Sequence, residues 1–136
     1  MKYVFRVDNS YKLGSGHLMR CLNLANKLKG EIHFISRNLP ENNNELIRKN
    51  QFKLHQFESQ DINLEEKIQD EPYLIEKLKE IKPDCVIIDH YGIDDHLEKE
   101  VLIHTKKLLI LDDIDRPHIK ESALLDQNMR DHYDYN

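Results

Sequence analysis

Gly14, Ser15, Gly16 and His17 lie between an apolar, β-rich stretch at Tyr3–Val7 and a strongly helical stretch that starts at Leu18. Two glycines so close together let backbone pass near a ligand and adopt positive φ. The helix start behind them would offer free N–H groups and a positive dipole end, a seat for phosphate or another anion. Gly14-Ser15-Gly16 is neither a Walker A loop nor the full G-x-G-x-x-G fingerprint, because Met19 stands at the final glycine position. His17 makes the loop more specific. A helix dipole disfavours imidazolium at this end, and a neutral imidazole can act as a general base on water. The plain alternatives are a tight turn without a ligand and a histidine that caps the helix or faces solvent.

Acids collect at the ends of the apolar runs. Asp8 and Ser10 follow Tyr3–Val7, Asp89-His90-Tyr91 follow Cys85–Ile88, and Asp112-Asp113 follow Leu108–Leu111. In an open α/β sheet, ligands bind outside the carboxyl ends of the strands. Each aspartate alone has a local explanation, as a turn former. Their coincidence with the Gly-Gly-His loop points to a site on one sheet edge. Arg6, a charge inside a strand, needs a partner: Asp8, Asp113 or a ligand anion. Asp8, Asp89, His90, Asp112 and Asp113 also make a donor set for Mg²⁺ or a transition metal. Paired acids at strand ends usually cap or salt-bridge instead, so the expected site holds no metal and no cofactor. Cys21 and Cys85 read as core residues. His33, His55, His104 and His132 have no informative neighbours.

The elements that must position these residues are legible from periodicity. Leu18, Cys21, Leu22, Ala25 and Leu28 form one apolar helical stripe, with Lys27 and Lys29 in the last turn and Gly30 as the C′ residue. Ile32–Ile35 reads as a second strand. Asn43 or Asn44 caps a short helix carrying Leu46 and Ile47. Phe52–Phe57 alternates as a third strand, and 60–71 is too weakly patterned for an assignment. Pro72 fits the first helical position of a stripe of Leu74, Ile75, Leu78 and Ile81, stopped by Lys82-Pro83. Cys85–Ile88 suits a strand buried on both faces. Asp94 caps a helix with Leu97, Val101 and Leu102 inward, and Leu108–Leu111 repeats the buried-strand pattern. This alternation predicts an α/β, Rossmann-like, doubly wound and mainly parallel sheet over residues 1–128, with 129–136 the start of a linker.

Composition sets bounds on function. The chain has 136 residues and a net charge of −5, and no apolar run approaches the ~20 residues of a membrane span. Met1-Lys2 leads at once into a charged strand, which argues against a secretory signal. The two cysteines make no disulfide framework, which suits the cytoplasm. An acidic chain without a Lys/Arg block argues against nucleic-acid binding.

Asp8-Asn9-Ser10, the run Gly14-Ser15-Gly16-His17-Leu18-Met19-Arg20-Cys21-Leu22, Ile88-Asp89-His90-Tyr91-Gly92, and Leu111-Asp112-Asp113 with Arg116-Pro117-His118 occur in that order. Together they resemble the N-terminal half of the UDP-2,4-diacetamido-2,4,6-trideoxy-β-L-altropyranose hydrolases of pseudaminic acid biosynthesis, relatives of spore coat polysaccharide biosynthesis proteins. Residues 40–72 carry none of these motifs. The resemblance implies one half of a two-domain, glycosyltransferase-B-type fold. It also implies a reaction in which water attacks the anomeric carbon of a UDP-sugar and UDP leaves with inversion. It casts His17 as the base. Asp89 and Tyr91 would line the sugar pocket, and Asp8, Ser10 and Gly16 would approach sugar or phosphate; Arg6 and Gly14 join them as substrate-binding candidates on the strand and loop arguments above. Family members are much longer, and their C-terminal half supplies most of the nucleotide site. The expected partners are therefore a UDP-sugar and a missing C-terminal domain, and this chain alone should be inactive. Competing readings are a glycosyltransferase, a non-catalytic nucleotide-sugar-binding module and a metal-dependent hydrolase.

Overall fold

Cys85–Asp89 is buried at every position, as a strand with helices on both faces must be. It is one of six strands in the computed structural model, which describes residues 1–10, 14–58, 71–89, 95–111 and 122–125. The elements in chain order are β1 (Lys2–Val7), α1 (Gly16–Ala25), β2 (Glu31–Arg37), α2 (Glu45–Lys49), β3 (Lys53–Phe57), α3 (Pro72–Ile81), β4 (Cys85–Asp89), α4 (Asp95–Ile103), β5 (Lys107–Leu111) and β6 (Ser122–Leu125). The strand order is β3-β2-β1-β4-β5-β6 and every pairing is parallel. This is a Rossmann-like α/β sheet. From β1 the chain winds outward to β3, then returns to the other side of β1 and winds outward again. The reversal between β1 and β4 is the topological switch point, where such sheets open a crevice for ligands.

The pleat divides the core in two. Phe5 and Val7 of β1, Ile32 and Phe34 of β2, and Cys85 and Ile87 of β4 pack with Leu18, Cys21, Leu22 and Ala25 of α1. Val4, Ile35, Val86 and Ile88 point the other way, onto Leu74, Ile75, Leu78 and Ile81 of α3 and Leu97 and Val101 of α4. Alternate residues of one strand thus serve different layers. Phe5 and Phe34 stack across β1 and β2 with ring centroids 4.8 Å apart.

Several boundaries differ from expectation. The α1 helix stops at Ala25, so Lys27 and Lys29 lie beyond it and Gly30 is not its C′ residue. The side chain of Asn26 donates to the Leu22 carbonyl, and Lys27 and Leu28 N–H bond to Leu24 and Ala25 three residues back. This tighter winding ends the helix. Gly30 has φ +148°, and a Cβ there would stand 2.3 Å from the Met1 carbonyl oxygen, so glycine is required by the close passage of β1. Asn44 does precede α2, but its side chain makes no capping bond. Its amide instead donates to Gln56 and the Arg37 carbonyl and accepts from Asn9. Ser122–Leu125 adds a strand that the periodicity did not suggest. Asp94 and the segment 129–136 lie outside the described residues. His33 and His55 prove to be neighbours: His33 Nε2 lies 2.7 Å from a Glu31 carboxylate oxygen, and its Nδ1 lies 2.8 Å from His55 Nε2.

The contact at Gly30 makes a direct prediction. Gly30→Ala should cost about 2 kcal/mol or more, because the backbone conformation and the Met1 carbonyl both exclude a methyl group. Urea unfolding of the two chains measures it, and an unchanged midpoint would contradict the packing described.

Candidate active site

Ser10 and Gly14, beyond the end of β1, are paired with each other. Gly14 N–H donates to the Ser10 carbonyl at 2.8 Å, and Gly14 adopts φ +74°, a conformation open to glycine at little cost. Gly16 is the first residue of α1, and a Cβ at Gly14 or Gly16 would meet nothing within 4 Å. Among the described residues, nothing crowds the backbone of α1 at Gly16. Burial of Leu18, Cys21, Leu22 and Ala25 against the sheet fixes the rotation of α1. That rotation sets His17 and Arg20 along its rim, one helical turn apart and above the end of β4.

There they meet Asp89. Asp89 pairs in register with Val7 of β1 and ends β4 on the α1 face, in line with Cys85 and Ile87. Its carboxylate is almost sealed from solvent. His17 Nδ1 lies 2.6 Å from Asp89 Oδ1. Arg20 forks onto the same group, with Nη2 at 2.8 Å from Oδ1 and Nε at 3.0 Å from Oδ2. The Cys21 thiol adds a contact to Oδ2 at 3.6 Å. A carboxylate bound by a guanidinium fork is an acceptor, so the proton on His17 belongs on Nδ1 and the lone pair on Nε2. The 3.3 Å approach of Arg20 Nη2 to His17 Nδ1 is then a consequence of two donors converging on one oxygen. The ring keeps 15% of its surface exposed. The result is a histidine–aspartate dyad whose Nε2 can take a proton from water.

Of the partners expected for Arg6, Asp8 is one that it meets, and the pair lies on the sheet face away from Asp89. Arg6 is two residues from Val4 and points toward α3, where its guanidinium lies 5.3 Å from the Phe57 ring centroid. It bonds Asp8 at 2.6 and 3.0 Å and Glu71 at 2.7 and 2.6 Å. Arg37 completes the group: its Nε donates to Asp8 Oδ2 at 2.6 Å and its backbone N–H to Oδ1 at 2.8 Å. Two cations and two carboxylates form a buried cluster. Burial works against the Arg6 charge, but Asp8 and Glu71 overcome it and hold the guanidinium more firmly protonated than usual. Arg6 has no exposed surface, so the fold gives it the task of anchoring Asp8 and the start of α3. Ser10 is buried and Asn9 is tied to Asn43 N–H and Asn44.

Arg20 and Glu71 were absent from the expected site. Arg20 carried a signal, being one turn from His17 on the same helix. Glu71 was an acid before Pro72 in an unpatterned stretch, and nothing local linked it to Arg6. Tyr91, His90, Asp112, Asp113, Arg116 and His118 lie outside the described residues. Among the described residues no group of three or more histidine, cysteine, aspartate or glutamate side chains could hold a metal ion, and no helix is long and apolar enough to cross a membrane.

Fold and site together define a Rossmann-like α/β domain with a histidine–aspartate dyad at the switch point. No family model matches the chain. It is 35% identical over 119 residues to the UDP-2,4-diacetamido-2,4,6-trideoxy-β-L-altropyranose hydrolase of Campylobacter jejuni, an alignment covering 87% of this chain and 39% of that protein. It is 34% identical over 116 residues to an uncharacterized protein of Methanocaldococcus jannaschii, covering 82% of this chain and 22% of that protein. The chain thus spans less than half the length of these curated relatives.

Two expectations follow from the buried groups. Glu71→Ala strands part of the Arg6 charge and should cost about 3 kcal/mol, whereas Lys53→Ala at the exposed Glu31 pair should cost less than about 1 kcal/mol. Equal losses in denaturant unfolding would contradict the cluster. Burial and the Asp89 charge push the Cys21 thiol well up, and burial raises Cys85 to about 11. Both thiols should therefore resist iodoacetamide near neutral pH while the chain is folded and react once it unfolds, as mass spectrometry would show.

Proposed function

We propose that this chain is the base-bearing domain of a nucleotide-sugar hydrolase that releases UDP from a UDP-diacetamido-trideoxy sugar. The observation that carries this reading is the dyad at the switch point, with His17 Nδ1 2.6 Å from Asp89 Oδ1. The printed name of the Campylobacter relative supplies the substrate class. In the proposed reaction water attacks the anomeric carbon from the side opposite UDP. Its proton passes to His17 Nε2, the carbon–oxygen bond to the phosphate breaks, and the electron pair leaves with UDP, giving inversion. Asp89 steadies the imidazolium that forms. UDP is a weak base and leaves without a strong general acid. The N–H groups of the first turn of α1 suit its developing charge.

In this reading Tyr91 and Ser10 contribute to the sugar side, and no metal or cofactor takes part. Residues 1–128 act as one half of a glycosyltransferase-B-like pair, working in the cytoplasm without membrane or nucleic acid. A second domain supplies most of the nucleotide site, in keeping with the 39% of the relative that the chain spans. The isolated chain would then turn over poorly.

The test is UDP release by this chain joined to the second domain of the proposal, in ¹⁸O-labelled water. The expected result is label at the anomeric carbon and a fall in kcat of about 10²–10⁴-fold for His17→Asn. Near-normal turnover by His17→Asn would remove the histidine from the mechanism. Unlabelled product transferred to an added sugar would make the protein a glycosyltransferase. Robust hydrolysis by the 136-residue chain alone would overturn the division between domains.

A further inference from the structure

A histidine beside a buried carboxylate has a difficulty as a base. The carboxylate favours imidazolium, the form with no lone pair to offer. It can also rotate about its Cβ–Cγ bond and present either oxygen to either ring nitrogen. Arg20 answers both problems. Its fork takes both oxygens of Asp89, at 2.8 and 3.0 Å, so the carboxylate plane is fixed by two parallel bonds. Its Nη2 also stands 3.3 Å from His17 Nδ1, so a full positive charge adjoins the ring on the same side as the negative one.

We infer that Arg20 is the positioning residue of the dyad: it pins Asp89 so that His17 carries its proton on Nδ1 and keeps Nε2 as its accepting nitrogen. The charged and titratable groups that face His17 among the described residues are Asp89 from β4 and Arg20 and Cys21 from α1. The Cys21 thiol is held protonated by burial and adds no charge. Among the described residues, His17 thus adjoins an Asp89–Arg20 pair of opposite charges. Helix geometry keeps this arrangement constant, since His17 and Arg20 are three residues apart on one face of α1. Lysine could supply the charge but not the planar fork.

This inference rests on the reading of His17 as the base, yet its test needs no substrate. Long-range proton–nitrogen correlation on the ¹⁵N-labelled 136-residue chain reports the protonation of each imidazole nitrogen. Loss of one signal set in His17→Gln assigns the ring. The neutral ring of the wild-type chain should carry its proton on Nδ1. Arg20→Gln, which removes the fork, should blur that tautomer preference. Arg20→Lys, which keeps the charge without the planar fork, should blur it as well. A wild-type ring whose neutral form is protonated on Nε2 would overturn the inference, as would an Arg20→Gln chain with an unchanged tautomer. If Arg20→Gln does not fold, an Arg20→Lys ring with the full wild-type tautomer preference overturns the positioning role. A hydrolase that loses activity with His17→Asn, but whose ring ignores Arg20, would keep the proposed function and lose this inference.

Discussion

A carboxylate sealed from water must be surrounded by donors, because its lost hydration costs several kcal/mol if nothing replaces it. Two such carboxylates organise this molecule. Asp8, at the end of β1, is met by Arg6 and Arg37. Asp89, at the end of the adjacent β4, is met by His17 and Arg20. Each is a knot that ties together elements distant in sequence. Asp8 joins β1 to the end of β2 and, through Arg6, to Glu71 at the start of α3. Asp89 joins β4 to α1.

The two knots face opposite layers because of the pleat. Arg6 and Asp8 share the parity of Val4, and Asp89 shares the parity of Cys85 and Ile87. One fixes how the α3 layer seats on the sheet. The other sits under α1, at the reversal of strand order, where backbone N–H groups and an accessible imidazole adjoin. The buried ion cluster and the histidine–aspartate dyad are thereby separated across a sheet one residue thick. The cluster near α3 can be as rigid as packing allows without restricting the α1 side, where the His17 ring keeps part of its surface exposed.

Much of the architecture was legible in local pattern. The unbroken apolar run at Cys85–Ile88, the stripe from Leu18 to Ala25 and the Pro72 helix start each carry their own physical signal, and alternation of the two types points to a parallel sheet. Boundaries were less legible where a distant group decides them. The stripe continues to Leu28, but α1 ends earlier because Asn26 closes it and Gly30 must pass beneath Met1. β6 is short, and a short apolar run resembles a loop until a neighbouring strand pairs with it.

The candidate site divides the same way. By itself the sequence determined that a Gly-Gly-His loop opens a helix after the first strand and that acids end the strands, since these depend on spacing along the chain. It could not determine which acid serves the histidine. Three aspartates at strand ends look equivalent in one dimension, and only parallel register and pleat direction turn Asp89 toward α1 while sending Asp8 to Arg6 and Glu71. The same holds for His33 and His55, whose contact exists because β2 and β3 lie side by side. Local patterns record backbone preference and burial. The pairing of charges across 65 or 72 residues of chain is fixed by the sheet alone.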